Sequence, residues 1–251
     1  MNITVFGPVW IALFVIFEAA VIVFCKCNRN KSREWKLRFM QGFSLFSIIY
    51  LLVYKVWLLI DPGYETYLLR ELPLNLCNLS LPISFYAAKK DKKIPMAFLF
   101  YCCTLGAILA LVMPEYGFYD VPIYLPRCIG YWGFHLIALN LGTIYILLGL
   151  YQPKLRDIPG SLLVLACVGL FCHLCNFLLL TFVHSNPNYC YTYGLEGNPL
   201  TELLMQYIPI PFVYLLPMAI PLAAVDCVMC GLANLGRLGK KKSAQEAEFT
   251  K

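Results

Sequence analysis

Two residues in the apolar stretches of this 251-residue chain carry side chains suited to nucleophilic chemistry. Cys77 offers a thiol, and His135 offers an imidazole that can take the proton from such a thiol. The resulting thiolate attacks an ester carbonyl, and the acyl group rests on sulfur until an acceptor removes it. The acceptor then decides whether the reaction is an acyl transfer or a hydrolysis.

The composition indicates that membrane-spanning helices must position these residues. The chain is 60% hydrophobic and 14% charged, with a mean hydropathy of +0.69, which an ordinary polar protein surface does not accommodate. A span needs about 20 apolar residues. We therefore predict an all-α, polytopic membrane helix bundle with about seven transmembrane helices. The qualifying windows are Phe6–Cys25, Phe39–Ile60, Leu72–Ala88, Met96–Met113, Tyr131–Tyr151, Ser161–Val183 and Ile208–Leu232.

Basic residues are concentrated in the connections after the first, third, fifth and seventh windows. The opposite connections hold only Arg70 and Arg127. The positive-inside rule therefore predicts an N-terminus outside and a C-terminus in the cytoplasm. The net charge of +6 reflects this topology rather than a nucleic-acid partner. We predict one transmembrane helical domain over 1–235, followed by a charged cytoplasmic tail over 236–251, in a multi-pass protein of a bacterial cytoplasmic membrane.

Helical rise predicts that Cys77 and His135 reach a similar depth near the outer leaflet. Cys77 lies about 8 Å below Leu72, His135 lies about 6 Å below Tyr131, and both helices run inward. Asn75, with the neighbouring amide of Asn78, could donate hydrogen bonds to an oxyanion. The face of the fifth helix that carries His135 also carries small residues that permit close helix approach: Ala138, Gly142 and Gly149.

Spacing alone leaves simpler roles open for these residues. Buried cysteines usually pack as small hydrophobes, and a core histidine is usually satisfied by hydrogen bonds. A polar stripe on a membrane helix most often bonds to a neighbouring helix.

Four short segments resemble those of the YwaF-like family of integral membrane proteins. The first is Glu71-Leu-Pro-Leu-Asn-Leu-Cys77-Asn-Leu-Ser80, and the second is Tyr131-Trp-Gly-Phe-His135. Asn186-Pro-Asn-Tyr189 and Gly197-Asn-Pro199 follow before a Pro-rich last helix. The order and spacing of these segments resemble the family from about the second helix to the seventh.

The resemblance implies a chemistry and a substrate. Animal relatives in that family are membrane acyltransferases that remodel ether phospholipids with a cysteine and a histidine, which correspond by position to Cys77 and His135. The resemblance to this family therefore implies a cysteine thioester, a histidine general base, phospholipid and lysophospholipid substrates, and no cofactor. A more distant resemblance to threonine/histidine membrane hydrolases keeps lipid ester hydrolysis as an alternative.

Other polar residues within the windows are candidates for support or for packing. We expect Lys55 to snorkel or to pair with Asp61 or Glu65, and Glu18 and Asp226 to pair with donors in the core. Three residues are supporting or oxyanion candidates: Asn140, His173 and Asn176.

Two further readings compete with an enzyme. The prolines of the seventh window each remove a backbone donor, so we expect that helix to be kinked or broken. These prolines and the polar groups of the core also suit a transporter or a small-molecule or lipid binding protein. A metal or haem site is not expected, because His135 and His173 lie at different depths. The sequence leaves open a disulfide between Cys128 and Cys190.

Overall fold

The chain folds as an all-α bundle in which 76% of the residues are helical. The computed structural model describes residues 2–115, 117–193 and 199–249, and it describes side chains in these ranges except for 199–200 and 236–249. The α-helices of the described ranges are α1 (Pro8–Asn28), α2 (Arg33–Ile60), α3 (Leu68–Glu71), α4 (Leu76–Lys90), α5 (Lys93–Phe98), α6 (Thr104–Val112), α7 (Pro126–Leu147), α8 (Ile158–Leu178), α9 (Pro199–Tyr207) and α10 (Ala219–Phe249).

Tighter or wider helical turns join several of these helices. π-Helical turns at Leu99–Cys103 and Leu179–Val183 connect α5 to α6 and extend α8. A 3₁₀ segment, Val213–Met218, precedes α10 and contains Pro217. Because proline removes a backbone donor, the predicted break in the last window is confirmed. Shorter 3₁₀ turns lie at Leu155–Asp157 and Tyr189–Tyr191.

One end of the bundle gathers the basic connections, and we call it the inner end. Arg33 at the start of α2 pairs with Asp91 after α4 at 2.5 Å and donates to the Leu150 carbonyl after α7 at 3.3 Å. Gln152 donates to Asn234 of α10 at 3.2 Å. The hydrogen bond from Arg33 holds the pKa of the Asp91 carboxyl below its ordinary value.

The opposite end, which we call the outer end, gathers the N-terminus and three later connections. Strand β1 (Asn2–Ile3) pairs antiparallel with strand β2 (Val121–Pro122). Arg127 at the start of α7 pairs with Asp61 after α2 at 2.9 Å, and the Tyr189 hydroxyl donates to the Leu69 carbonyl. These contacts require the chain to pass between the two ends seven times.

Six of the passages are helices long and apolar enough to cross a membrane: Pro8–Asn28, Arg33–Ile60, Lys93–Val112, Pro126–Leu147, Leu155–Val183 and Val213–Leu235. The seventh passage is α4, whose 15 residues span only about 22 Å and lie against α2, α5 and α7. The predicted polytopic helical bundle is confirmed, with span limits that move by a few residues. The predicted tail begins inside α10, and its side chains lie outside those described.

Helix α7 forms the centre of the bundle. Within the most apolar window of each helix, 78% of the residues of α7 are buried, compared with 6% for α1. Gly142 allows this close packing, because an added Cβ would lie 2.4 Å from the backbone of Phe100. Gly149, predicted to share that contact face, instead ends α7 with φ at +75° and has open space around it.

Candidate active site

Cys77 lies at the outer end of α4, one residue after the helix begins. The preceding connection enters the helix through Asn75, whose backbone is extended. The thiol is half-buried and points toward α6, where a Cβ added at Gly106 would lie 4.0 Å from the Cys77 sulfur. A side-chain carbon at that distance would make ordinary van der Waals contact, so the Cys77 thiol packs beside α6 at Gly106.

The imidazole of His135 is held on α7 by the preceding turn of its own helix. Its Nδ1 lies 2.9 Å from the Tyr131 carbonyl oxygen, and its ring contacts the Tyr131 ring at a centroid distance of 4.3 Å. Because a carbonyl only accepts hydrogen bonds, this contact places the hydrogen of the neutral ring on Nδ1. Nε2 then carries the free lone pair and is the nitrogen able to take a proton.

Contacts between α6 and α7 relate the depths of the two side chains. The Thr104 hydroxyl donates to the Leu139 carbonyl at 3.2 Å, and the Tyr131 hydroxyl donates to the Ala110 carbonyl at 2.8 Å. Gly106 lies between these two contacts on α6. The Cys77 thiol beside it therefore lies level with the turn of α7 that contains His135.

Tyr131 is the residue that both candidates share. Its ring contacts His135, and its phenol is close enough to Cys77 for an electrostatic interaction. Among the described residues, no hydrogen bond joins Cys77 directly to His135. The role of Tyr131 was not predicted from the sequence, although its position one turn before His135 was a usable signal.

A buried ion pair borders the site on its outer side. Lys55 of α2 pairs with Glu71 at 2.6 Å, and the Thr66 hydroxyl donates to the same carboxylate at 2.6 Å. Lys55 also interacts electrostatically with His135. Lys55 is paired, but with Glu71 rather than with the expected Asp61 or Glu65, and Asp61 pairs with Arg127 instead.

Asn75 and Asn78 flank Cys77 in sequence and differ in burial. The Asn75 amide oxygen accepts from the backbone N–H of Cys190 at 3.1 Å, whereas Asn78 is buried within the bundle. The Asn75 Nδ2 group is not used in that contact. Both amides therefore lie within one helical turn of the Cys77 backbone.

The remaining supporting candidates are engaged in other contacts. Asn140 donates to the Glu18 carboxylate at 2.7 Å, which confirms the expected pairing of Glu18. The His173 ring stacks on Tyr193 and Phe212. Asp226 is buried, and no hydrogen bond to its carboxylate is found among the described residues.

Asn176 anchors a segment that folds back into the bundle. We call residues 184–193 the outer segment. The Asn176 amide donates to the Tyr189 carbonyl and the Thr192 hydroxyl, and its oxygen accepts from the Tyr189 N–H at 2.9 Å. These bonds bring Cys190 to the start of α4. The approach of this thiol to Cys77 was not predicted from the sequence.

Burial also changes the pKa of a tyrosine hydroxyl at the outer end of the bundle. Tyr64, in the connection after α2, packs against Phe118, and burial raises the pKa of its hydroxyl to about 12.

A cavity of about 410 Å³ lies at the inner end, away from Cys77 and His135. Arg33, Lys93, Lys154 and Arg156 line it together with Asp157. It lies about 20 Å from Cys77, the length of α4 between the two ends. This cavity is therefore not a chamber for a substrate of the Cys77 thiol. Within the described residues, no cluster of three or more metal-ligating side chains is found.

The fold and its two differently charged ends define a multi-pass integral membrane protein. The chain belongs to the TMEM164 family, whose model matches residues 4–230. This match covers the first six passages, most of the seventh, and both segments that contain Cys77 and His135. No curated protein and no solved structure matches the chain. The resemblance to the YwaF-like family and the bacterial location stay predictions.

Proposed function

We propose that the protein is a membrane phospholipid acyltransferase in which Cys77 is the nucleophile and His135 is the general base. The observation that carries this proposal is the common depth of the two side chains beside Tyr131. The sequence resemblance described above supports the same pair. Membership in a transmembrane family supports a substrate that reaches the site from the bilayer.

The first half-reaction transfers the acyl group to sulfur. Nε2 of His135 takes the proton of the Cys77 thiol, and the sulfur attacks the ester carbonyl of a phospholipid. The new S–C bond forms as the ester C–O bond breaks. The imidazolium returns its proton to the departing oxygen, which leaves as the hydroxyl of a lysophospholipid.

The second half-reaction regenerates the thiol. The hydroxyl of a different lysophospholipid gives its proton to His135 and attacks the thioester. The S–C bond breaks, and the imidazolium protonates the sulfur. Asn75 and Asn78 are the proposed hydrogen-bond donors to the oxyanion in both steps, because they flank the nucleophile.

The proposed pair forms when the two side chains move into hydrogen-bond contact. Cys77 and His135 are not hydrogen-bonded in the described residues, and such catalytic contacts often tighten only when substrate is bound. Substrate between α4 and α7 would exclude water and favour transfer over hydrolysis.

Acyl exchange by purified protein tests this proposal. Protein in liposomes receives a phospholipid with an isotopically labelled acyl chain and an unlabelled lysophospholipid, and mass spectrometry follows the exchange. Cys77→Ala and His135→Ala should each lower the rate by at least about 100-fold. Cys167→Ala is the matched control, since this exposed thiol lies on α8, and it should keep the wild-type rate. Wild-type exchange in Cys77→Ala would refute the mechanism.

The same assay distinguishes the alternatives. Release of labelled free fatty acid by the wild type, but not by the Cys77 and His135 variants, identifies a hydrolase that uses water as acceptor. The buried Asp226 and the 3₁₀ break before α10 favour a transporter or binding protein as the second candidate. Lipid accumulation or transfer in proteoliposomes without acyl chemistry would support that role.

A further inference from the structure

Two thiols from distant parts of the chain meet at the outer end of α4. The sulfur of Cys172 on α8 lies 3.4 Å from the sulfur of Cys190 in the outer segment. Cys172 also donates to the Leu74 carbonyl at 3.0 Å, and the Cys190 sulfur lies 3.9 Å from the same oxygen. The two thiols therefore share one small polar site next to the helix that contains Cys77.

The backbone around Cys190 is fixed before any bond between the sulfurs forms. Asn176 binds the outer segment through Tyr189 and Thr192, and Asn75 accepts from the Cys190 N–H. Cys190 itself is left-handed, with φ at +53°. Such a conformation persists in a non-glycine residue when its surroundings hold it. The thiol is thus presented to Cys172 by a segment that is already anchored.

The location of the pair favours oxidation. The outer segment lies at the end of the bundle opposite the basic connections, which the positive-inside rule assigns to the non-cytoplasmic side. Disulfides persist in the compartments on that side.

We propose that Cys172 and Cys190 form a disulfide that fastens the outer segment to α8 above the start of α4. A sulfur–sulfur bond of about 2.05 Å requires the two sulfurs to approach by little more than 1 Å. This pairing competes with the bridge between Cys128 and Cys190 that the sequence leaves open, and the Cys190 sulfur faces Cys172 on α8. Cys128 lies buried on α7.

The bond forms by two thiol–disulfide exchanges with a small disulfide such as oxidised glutathione. The Cys190 thiolate attacks one glutathione sulfur, which gives a mixed disulfide and releases one glutathione thiolate. The Cys172 thiolate then attacks the Cys190 sulfur and releases the second glutathione. The two cysteine protons end on the two glutathione thiolates. The protein is oxidised by two electrons, and the glutathione disulfide is reduced by two.

This inference stands apart from the proposed acyl chemistry, because it requires no acyl transfer. Its structural consequence is that the loop over α4 is covalently closed. A loop of 18 residues joined in this way should raise thermal stability, since the unfolded chain loses conformational freedom.

Differential alkylation of the full-length protein tests the bond. Membranes are dissolved in denaturing detergent that contains N-ethylmaleimide, so every free thiol is labelled at once. Reduction and a second, heavier maleimide follow, and mass spectrometry reads each cysteine. We expect Cys172 and Cys190 to carry the heavy label and Cys167, the exposed control, to carry the light one. Light label on Cys172 and Cys190, both in native membranes and after incubation with oxidised glutathione, would overturn the proposal. A peptide linking Cys190 to Cys128 would overturn it as well.

Thermal stability supplies an independent measurement. Reductant should lower the melting temperature of the wild type by about 6 °C and leave that of the Cys172→Ser/Cys190→Ser double variant unchanged. An equal response in both proteins would contradict the bond. Alkylation of the wild type decides the question even where the double variant fails to fold. Because neither assay measures acyl exchange, failure of the disulfide and failure of the proposed enzyme are separate results.

Discussion

Replacing Gly142 with alanine changes the closest helix contact of the bundle. The added Cβ would lie 2.4 Å from the Cα and N atoms of Phe100. Favourable carbon contacts begin at about 3.5 Å, so α7 and the π-helical turn must separate by about 1 Å. Both clashing atoms belong to the backbone, and no side-chain rotation relieves the overlap.

The expected cost follows from this overlap. Overpacking of a filled core costs about 1–3 kcal/mol, and the better helix propensity of alanine returns about 1 kcal/mol. We therefore expect a melting temperature about 2–6 °C below wild type. His135 lies two helical turns away on the same helix, and a 1 Å displacement of a catalytic group lowers rates by up to about 100-fold.

The assay is thermal unfolding in lipid nanodiscs, read as the loss of the monodisperse peak in size-exclusion chromatography, together with acyl exchange. Gly42→Ala is the matched control, since Gly42 also lies within a helix and nothing lies within 4 Å of an added Cβ. That variant should be as stable as wild type or slightly more stable. A Gly142→Ala protein as stable as Gly42→Ala would refute the close contact of α7 with the π-helical turn.

Three further predictions concern other contacts. Glu71→Gln leaves Lys55 charged and unpaired where its side chain is only 16% exposed, and should lower the free energy of unfolding by about 3–5 kcal/mol. The double variant Lys55→Met/Glu71→Leu should recover much of this lost stability in the same unfolding assay. Asp91→Asn removes the pair with Arg33 and should cost less than about 1 kcal/mol, because both side chains are largely exposed. The folded-state pKa of Asp91 is lowered, so the extra stability of the wild type over Asp91→Asn should be complete above the ordinary aspartate pKa. It should disappear as the pH falls through the lowered folded-state pKa. Extra stability that grows in acid would contradict the ion pair. Asn176→Ala leaves buried groups of the outer segment unpaired and should lower the free energy of unfolding by about 2–4 kcal/mol. A rate of proteolysis in the outer segment equal to that of the wild type would argue against Asn176 as its anchor.

Local patterns were sufficient to predict much of the architecture. Long apolar windows located the helices, and the prolines of the last window predicted its 3₁₀ break at Val213–Met218. Helical rise also predicted that Cys77 and His135 lie at one level, which the contacts of Gly106 and Tyr131 support. These predictions depend on residues close together in the chain.

Features set by distant contacts were not accessible in the same way. Sequence distance favoured Asp61 or Glu65 as the partner of Lys55, whereas tertiary packing selected Glu71. The outer segment folds back into the bundle through hydrogen bonds to Asn176. In the sequence, Asn176 is only one of several polar residues within a span. Gly149 fitted a small-residue face by spacing, but its positive φ ends α7 before that face is reached. The π-helical turn at Leu99–Cys103 has no signal in the hydrophobic pattern.

The most direct test of the central claim is to trap the acyl group on the protein. Purified protein is mixed with a phospholipid that carries a labelled acyl chain, quenched in acid within the first turnover, digested and analysed by mass spectrometry. We expect the acyl mass on Cys77, its removal by neutral hydroxylamine, and much slower formation in His135→Ala. Acyl exchange at the wild-type rate with no adduct on Cys77 would contradict the central claim.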